Sequence, residues 1–408
     1  MKLSEDLQSR GFVYQYSSET LDEITERKRT VYLGIDPTAD SIHAGNLAVY
    51  MLLRRLKAAG NEIILVIGGG TGMIGDPKPD VERPLTPPEV VAERAAKLAL
   101  QASRILGSEV RILNNYDWLS RLDLIGFLRD IGKHFTINNL MKKDAIAKRL
   151  ASEEGITYTE FAYPLLQGYD FWHLFREYGC DLQVSGSDQW GNITAGIELI
   201  RRKEGKIAYG LTIPLITDAS GKKFGKSEGN AVWLDPEKTS PYTFYQFWLN
   251  QDDEHVEEFL KIFTDLSLEE IAATLVEQSA NPGARIAQKR LAREVTTLVH
   301  GAATVEHVER VSAILFGDSP VGDNVDTAML ISAAPHTSVA VGTSILDSLI
   351  LSGLASSKRE AREFLDGGAV ALNGTKTEDR PLADSDFVNG IAILKRGRRN
   401  VCVLILDA

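Results

Sequence analysis

The sequence predicts an α/β protein in three parts. A parallel-sheet domain spans residues 1–220, an all-helical domain spans 221–318, and a small α+β module occupies 342–408 beyond a linker at 319–341. Three observations carry this expectation. Apolar strand-like runs alternate with helical stretches through the first 220 residues. Helical patterning then runs almost unbroken from 240 to 312. Near the end, Asn373-Gly374 lies between alternating segments, a strong signal for a two-residue hairpin.

The strand-like runs fall at 30–35, 62–67 (EIILVI), 109–113 (EVRIL), 181–185 and 208–216. Between them lie helical stretches at 45–59, ended by Gly60, and at 89–105. The latter opens with Thr86-Pro-Pro-Glu89, which reads as a capping box with proline at the first helical position. Strands alternating with helices imply a doubly wound parallel sheet. Such sheets bind ligands beyond the carboxyl ends of their strands. Segments such as EEFLKIF and RIAQKRLAREVTTLVHG supply the helical part, and 315–342, rich in Gly, Ser, Asp and Pro, reads as the linker. Two short helices near 343–353 and 357–366 precede the hairpin.

Composition narrows the class. A chain of 408 residues exceeds one ordinary core, and 44% hydrophobic with 25% charged residues is typical of soluble globular proteins. No apolar run reaches the ~20 residues that span a bilayer. MKLSEDLQSRG has no apolar core segment, so it is no signal peptide, and a cytoplasmic enzyme is expected. Cys180 and Cys402 stand apart and outside any CxxC, which argues against zinc and against a disulfide framework; no resident metal is expected. The net charge of −11 is uneven. Residues 342–408 hold nine basic and nine acidic side chains, so the excess lies upstream and the tail remains free to bind RNA.

Two clusters carry candidate chemistry. In GIDPTADSIHAGN, Asp36, Thr38, His43 and Asn46 gather on one strand–loop–helix corner, with Gly45 allowing close backbone approach. A helix N-terminus attracts anions, and Thr, His and Asn add donors at the same place, so a phosphate group suits them. Taken alone, a solitary histidine is more often structural. The second cluster, GKKFGKSEGN, places Lys222, Lys223, Lys226 and Ser227 among glycines in a polar loop; its bland alternative is a solvated surface loop. Gly70-Thr-Gly72-Met-Ile-Gly75 satisfies GxGxxG after a strand, but Asp-Pro-Lys-Pro-Asp follows it and cannot open the required helix. A nicotinamide dehydrogenase is therefore excluded.

HAGN resembles the HIGH signature, and KFGKS the KMSKS signature, of class I aminoacyl-tRNA synthetases, in the family's order and about 180 residues apart. Further segments are similar to the bacterial tyrosyl branch: YLGIDPTADSIHAGN, GGGTGMIGDP, NNYDW, YPLLQGYD and GSDQWGNITAG. The resemblance covers nearly the whole chain. It implies a Rossmann-like catalytic domain, a helical anticodon-region domain and an S4-like RNA-binding tail. It also implies a reaction in which tyrosine and ATP, with Mg2+, give tyrosyl-adenylate and pyrophosphate before tyrosine passes to tRNA(Tyr).

The residue roles follow by the same analogy. Thr38, His43 and Asn46, with Lys223 and Lys226, would serve the departing pyrophosphate, His43 acting as a donor and not as a base. Gly34, Asp36, Gly45, Gly186, Asp188 and Ser227 would join the ATP site, Asp188 accepting from the ribose; its bland reading is a plain N-cap. Tyr32 and Asp170 would bond the substrate's phenolic hydroxyl. Tyr163, Gln167 and Asp76 would hold its ammonium group, with Gln189 nearby. On a helix, Tyr163, Gln167 and Asp170 share one face, which could equally be a polar packing face.

Asn46 stands where the family has a second histidine, Phe224-Gly225 replaces Met-Ser, and KPDVERP lacks the usual Ser-Gly-Lys, leaving Lys78 or Arg83 as the extra pyrophosphate contact. Lys358, Arg359, Arg362, Lys395 and Arg396 would contact tRNA phosphates. The 127–144 segment matches the family's dimer contact, so a homodimer is expected. Two competitors stay in view: the tryptophanyl sibling, and a non-catalytic RNA-binding protein on the same fold.

Overall fold

The computed structural model describes residues 1–78, 83–151, 155–217, 224, 226–227, 230–316, 327–397 and 400–407. By packing, the chain divides into two compact units. One comprises Met1–Lys238 with Gln251–Leu291, the other Thr239–Asn250 with Ala292–Ala408.

The first unit is built on a six-stranded sheet. Its strands are β1 (Gln15–Tyr16), β2 (Thr30–Ile35), β3 (Glu62–Ile67), β4 (Arg111–Asn114), β5 (Cys180–Gly186) and β6 (Tyr209–Ile213), in the order β1-β6-β5-β2-β3-β4. All neighbours run parallel except β1 with β6. Tyr32 is in register with Ile64 on one side and Gln183 on the other. The parallel sheet expected from the alternating pattern is therefore present. The chain order reverses between β2 and β5, which is where a doubly wound sheet opens a crevice.

Helix Ala44–Ala58 follows β2 and buries Leu47, Ala48, Met51 and Leu52 completely. It ends before Gly60, whose φ of +88° a residue with a side chain rarely adopts. Helix Pro88–Leu106 has Pro88 at its first position, but Pro87 occupies the cap. The helix thus starts one residue later than a Thr86 cap implies and the expected Thr86 capping box is not formed, since Pro88 already supplies the helical φ.

Packing also crosses the boundary read near residue 220. A short antiparallel pair, β7 (Lys226–Ser227) with β8 (Asn230–Ala231), and helices Val256–Phe263 and Leu268–Ala280 fall in the sheet's unit. Phe224 is buried against Phe259 and Phe263, with ring centroids 4.7 and 5.7 Å apart. Arg55 of the first crossover helix donates to the carbonyl of Thr264 at 2.9 Å.

The second unit carries a five-stranded sheet of β9 (His336–Val339), β10 (Val370–Leu372), β11 (Thr375–Lys376), β12 (Ile391–Arg396) and β13 (Asn400–Leu406), ordered β11-β10-β12-β13-β9. Asn373 and Gly374 have φ of +50° and +81°, as the expected two-residue turn requires. Helices Ile345–Leu351 and Lys358–Asp366 are capped by Ser344 and Ser357. The linker expectation is corrected here. Helix Thr327–Ala333 and strand β9 lie within 319–341, and β9 pairs in parallel with β13. A four-residue polar edge strand has no periodicity long enough to read in a Ser/Ala/Pro background.

Candidate active site

Four strand ends deliver polar side chains to one crevice in the first unit. Tyr32 and Asp36 come from β2, Thr71 follows β3, Asn115 follows β4, and Asp188 and Gln189 follow β5. Helix Tyr158–Tyr178 adds Tyr163, Gln167 and Asp170, and its Phe171 ring packs on Tyr32 at 5.3 Å. The Gln167 amide donates to the Tyr163 hydroxyl at 2.9 Å, which places these two on the shared face expected.

A continuous hydrogen-bond chain crosses the crevice floor. The Tyr163 hydroxyl donates to Asp36 Oδ2 at 2.9 Å, and the Thr71 hydroxyl donates to Asp36 Oδ1 at 2.6 Å. Asn115 Nδ2 donates both to Thr71 Oγ1 at 2.9 Å and to Asp170 Oδ2 at 2.8 Å. Trp118 Nε1 donates to Asp170 Oδ1 at 2.7 Å. Asp36, grouped with the phosphate corner by sequence, is instead an acceptor in this buried chain and so cannot offer donors to an anion. Two glycines make room: a Cβ on Gly68 would lie 2.0 Å from Asp36 Oδ1, and one on Gly69 would lie 2.2 Å from Asn114 Oδ1. Just beyond them, inside the GxGxxG-like run, Thr71–Met73 forms only a short 3-10 turn.

Burial governs the electrostatics. It raises the Asp36 carboxyl to about 6 and the Asp170 carboxyl to about 7, in both cases against the donors that favour ionisation. Asp76 is raised for the same reason. Its carboxylate accepts from Gln189 at 3.0 Å and from Asn192 at 3.3 Å. The Tyr32 hydroxyl is buried and has no hydrogen-bond partner among the described residues. An orphaned buried hydroxyl costs on the order of 1–3 kcal/mol, so it is poised to meet a ligand.

The corner expected to take phosphates lies at the mouth of helix Ala44–Ala58, where His43 is the cap residue. The chain leaving the basic loop pairs here: Ala44 N–H donates to the Val232 carbonyl at 2.8 Å, and Leu234 N–H to the Ile42 carbonyl at 2.9 Å. The His43 and Trp233 rings meet edge to face at 6.2 Å. A Cβ on Gly45 would lie 2.2 Å from the Phe224 carbonyl, so glycine there lets loop and helix touch. Asn46 N–H donates to the His43 carbonyl at 2.9 Å, and Thr38 is exposed on the rim. Lys222 and Lys223 lie outside the described residues, and Lys226 and Ser227 are described only as strand β7. Asp188 sits in the Ser187–Gln189 turn; the helix cap is Gln189, so the plain N-cap reading of Asp188 does not hold. A Cβ on Gly186 would meet Asp188 Oδ1 at 2.7 Å, whereas one on Gly34 would be accommodated. A cleft of about 850 Å³ is lined by Asp76, Asp188 and Gln189 together with Lys78, Arg83 and Lys143.

In the second unit Lys358 pairs with Asp347 at 3.0 Å and Arg359 with Glu363 at 3.1 Å. Arg396 lies 3.7 Å from Glu360 and over the Phe364 ring, with Arg362 on the Lys358–Asp366 helix and Lys395 on β12. Arg398 and Arg399 lie outside the described residues. Sequence reasoning assigned no role to Thr71, Asn115, Trp118 or Asn192. Three of these stand in or just after GGGTG and NNYDW, each directly beyond a strand end, which is the signal that could have found them.

Residues 25–317 match the family model described as tRNA synthetases class I (W and Y). Residues 326–404 match the tyrosine–tRNA ligase SYY-like C-terminal domain. A relative from Enterococcus faecalis, tyrosine–tRNA ligase 2, is 47% identical over 414 residues and covers 98% of each chain. The chain belongs to the tyrosine–tRNA ligase family. Another member, from Anaeromyxobacter dehalogenans, is 46% identical over 98% of this chain and 99% of its own. Among solved structures, a C-terminally truncated mitochondrial tyrosyl-tRNA synthetase from Aspergillus nidulans superposes with a TM-score of 0.68 at 29% identity, covering 76% of this chain and 92% of its own. A tryptophanyl-tRNA synthetase from Encephalitozoon cuniculi, at 14% identity and a TM-score of 0.56, shares the fold alone. The C-terminal match and the full-length relatives set the tryptophanyl alternative aside. No helix among the described residues is long and apolar enough to cross a membrane.

Proposed function

We propose that this tyrosine–tRNA ligase seats L-tyrosine between Asp170 with Tyr32 at one end and Asp36, Asp76, Tyr163 and Gln167 at the other. It then joins the substrate carboxylate to the α-phosphorus of ATP and passes tyrosine to the 3′ end of tRNA(Tyr). The observation that carries this reading is the chemical contrast between the two ends. One end has a buried carboxylate beside an unpartnered hydroxyl, which suits a group that both donates and accepts, such as a phenol. The other gathers two carboxylates and a hydroxyl, which suits an ammonium ion.

The carboxylate nucleophile is already ionised at neutral pH and needs no base. Catalysis therefore rests on placement and on charge neutralisation at the phosphates. Thr38, His43, Gly45 and Asn46 would receive the phosphates. Lys223, Lys226 and Ser227 of the loop would complete the neutralisation, with Arg83 or Lys78 from the 78–83 side. Asp188 would take the ribose. Magnesium would arrive on ATP and supply further positive charge there. Lys358, Arg359, Arg362, Lys395 and Arg396 would contact tRNA phosphates. Leu124 (70% exposed), Ile125 (71%) and Ile137 (57%) leave an apolar surface in the 124–141 region, which supports a homodimer. A cytoplasmic location fits a partner in translation.

Amino-acid-dependent ATP–pyrophosphate exchange with tyrosine, phenylalanine and tryptophan tests the reading. Exchange with tyrosine alone is expected. Exchange with tryptophan would overturn the specificity, and none with any of the three would leave an RNA-binding protein on the fold.

A further inference from the structure

Helix Pro88–Leu106 buries an apolar row that includes Val91, Ala95, Leu98 and Ala102. A second, polar row reaches the corner ahead of His43. Arg94 Nη1 donates to the Thr38 carbonyl at 3.2 Å, Lys97 lies 3.8 Å from Asp40, and Gln101 meets Ser41 and Ile42. Spacings of three and then four residues keep these side chains on one helix face.

Gln101 makes the buried contact of the row. Its Oε1 accepts the Ile42 N–H at 2.8 Å, which fixes the orientation of the amide and turns Nε2 to the Ser41 hydroxyl at 3.1 Å. The Ser41 oxygen also accepts the Asp235 N–H at 3.2 Å. Its own proton is left for the Ile42 carbonyl at 3.1 Å or for Gln101 Oε1 at 3.2 Å. One hydroxyl therefore joins three segments: the helix, the corner before His43, and the 232–238 stretch that leaves the basic loop. Ser41 and Ile42 are only 4% and 3% exposed, so solvent does not take over these bonds. Asp40 ties the same stretch through Lys238 at 2.9 Å, but both side chains are about a third exposed and screening leaves that pair little weight.

From this geometry we infer that Gln101 is a positioning residue for adenylate formation. It holds the 38–43 corner against the 232–238 stretch, whose backbone pairs on both sides of His43, Val232 with Ala44 and Leu234 with Ile42. The donors of Thr38 and His43 and the lysines just ahead of that stretch then converge on the same phosphates. The inference rests on the ligase reading above and deepens its ATP step. Leucine at 101 would keep the helix apolar contacts but leave the Ile42 N–H and the Ser41 oxygen unmet, so the corner shifts. A displacement of about 1 Å in a positioned group costs on the order of a hundredfold in rate. The loss belongs to the step that expels pyrophosphate. Tyrosine is gripped from other elements, and its transfer from adenylate to tRNA no longer involves the outer phosphates.

The test compares the parent with Gln101→Leu, Gln101→Glu and Ser41→Ala in three readouts. These are tyrosine-dependent ATP–pyrophosphate exchange, calorimetric binding of tyrosine, and single-turnover transfer to tRNA from isolated enzyme-bound tyrosyl-adenylate. Gln101→Leu should lower kcat for exchange by about ten- to a hundredfold, with tyrosine affinity and transfer within about twofold of the parent. Gln101→Glu keeps the acceptor for the Ile42 N–H and should recover most of the loss. Adding Ser41→Ala to Gln101→Leu should cost little more than Gln101→Leu alone, since both act at one joint. Equal losses in all three readouts, or unchanged exchange in Gln101→Leu, would overturn the inference. If Gln101→Leu does not fold, Ser41→Ala decides: a loss confined to exchange supports the inference, and a uniform loss or none overturns it. A parent inactive with tyrosine would sink the ligase reading itself, a result distinct from an active parent with insensitive variants.

Discussion

Replacing Glu160 by glutamine should destabilise the first unit and loosen its grip on tyrosine together. Arg149 and Glu160 are each 2% exposed at the side chain and pair at 3.2 Å. Arg149 donates to the carbonyls of Gly155 at 3.0 Å and Lys78 at 3.3 Å, and Glu160 accepts the Arg83 N–H at 3.2 Å. Arg83 in turn donates to the Asp76 carbonyl at 2.9 Å. The pair therefore anchors both ends of the 78–83 stretch and, one step on, Asp76. Glutamine removes the negative charge from this buried pair, and breaking such a pair costs about 3–5 kcal/mol and lowers Tm on the order of 10 °C.

Chemical denaturation gives the free energy, and exchange kinetics give KM for tyrosine, which should rise several-fold. The double substitution Arg149→Met with Glu160→Leu removes both charges and should recover most of the stability. It should leave KM raised, since the Lys78 and Gly155 carbonyls and the Arg83 N–H stay unheld. A Glu160→Gln protein within about 0.5 kcal/mol of the parent, or a double variant whose loss equals the sum of the singles, would refute this account.

Tyrosine affinity should fall as pH drops from about 7 to below 6, because protonation of Asp170 and Asp36 removes the acceptors for phenol and ammonium. The slope should approach tenfold per unit for each linked proton, read by calorimetric titration. Because both carboxyls have raised values when folded, the ligand-free protein should lose stability as pH rises from the ordinary carboxylate range toward 7, and tyrosine should offset that loss. Gly45→Ala should lower kcat for exchange more than tenfold by pushing away the Phe224 carbonyl, while equilibrium binding of tyrosine is preserved. Tyr32→Phe should stabilise the empty protein by up to about 1 kcal/mol by deleting an orphaned hydroxyl, and raise KM for tyrosine; a thermal shift with and without tyrosine separates the two effects. Arg362→Ala should weaken tRNA binding and flatten its salt dependence without changing exchange.

Much of the architecture was legible because it is written in local periodicity. EIILVI and the helix after His43 announce their elements within a few residues, and Asn373-Gly374 announces its turn through backbone freedom alone. The gathering of Tyr163, Gln167 and Asp170 was legible from their spacing along one helix. What escaped depends on juxtaposition. Asp36 reads as a neighbour of His43 in the sequence, yet its carboxylate turns to Thr71, 35 residues away. Gly68 and Gly69 carried no reading of their own, because sequence does not show that Asp36 and Asn114 fill the space their missing side chains leave. Strand β9 was lost to the linker because its pairing partner, β13, lies more than 60 residues on.

The interleaving of the two units restricts how this gene can be divided. The chain enters the second unit at Thr239, returns to the first at Gln251 and leaves it again at Ala292. A break at 238 strips the sheet of helices Val256–Phe263 and Leu268–Ala280, and a break at 291 leaves Pro241–Leu249 separated from the rest of its own unit. No single cut yields two intact pieces. Fragment complementation, limited proteolysis and domain shuffling should therefore find a permissive site only downstream, where the chain has made its last crossing.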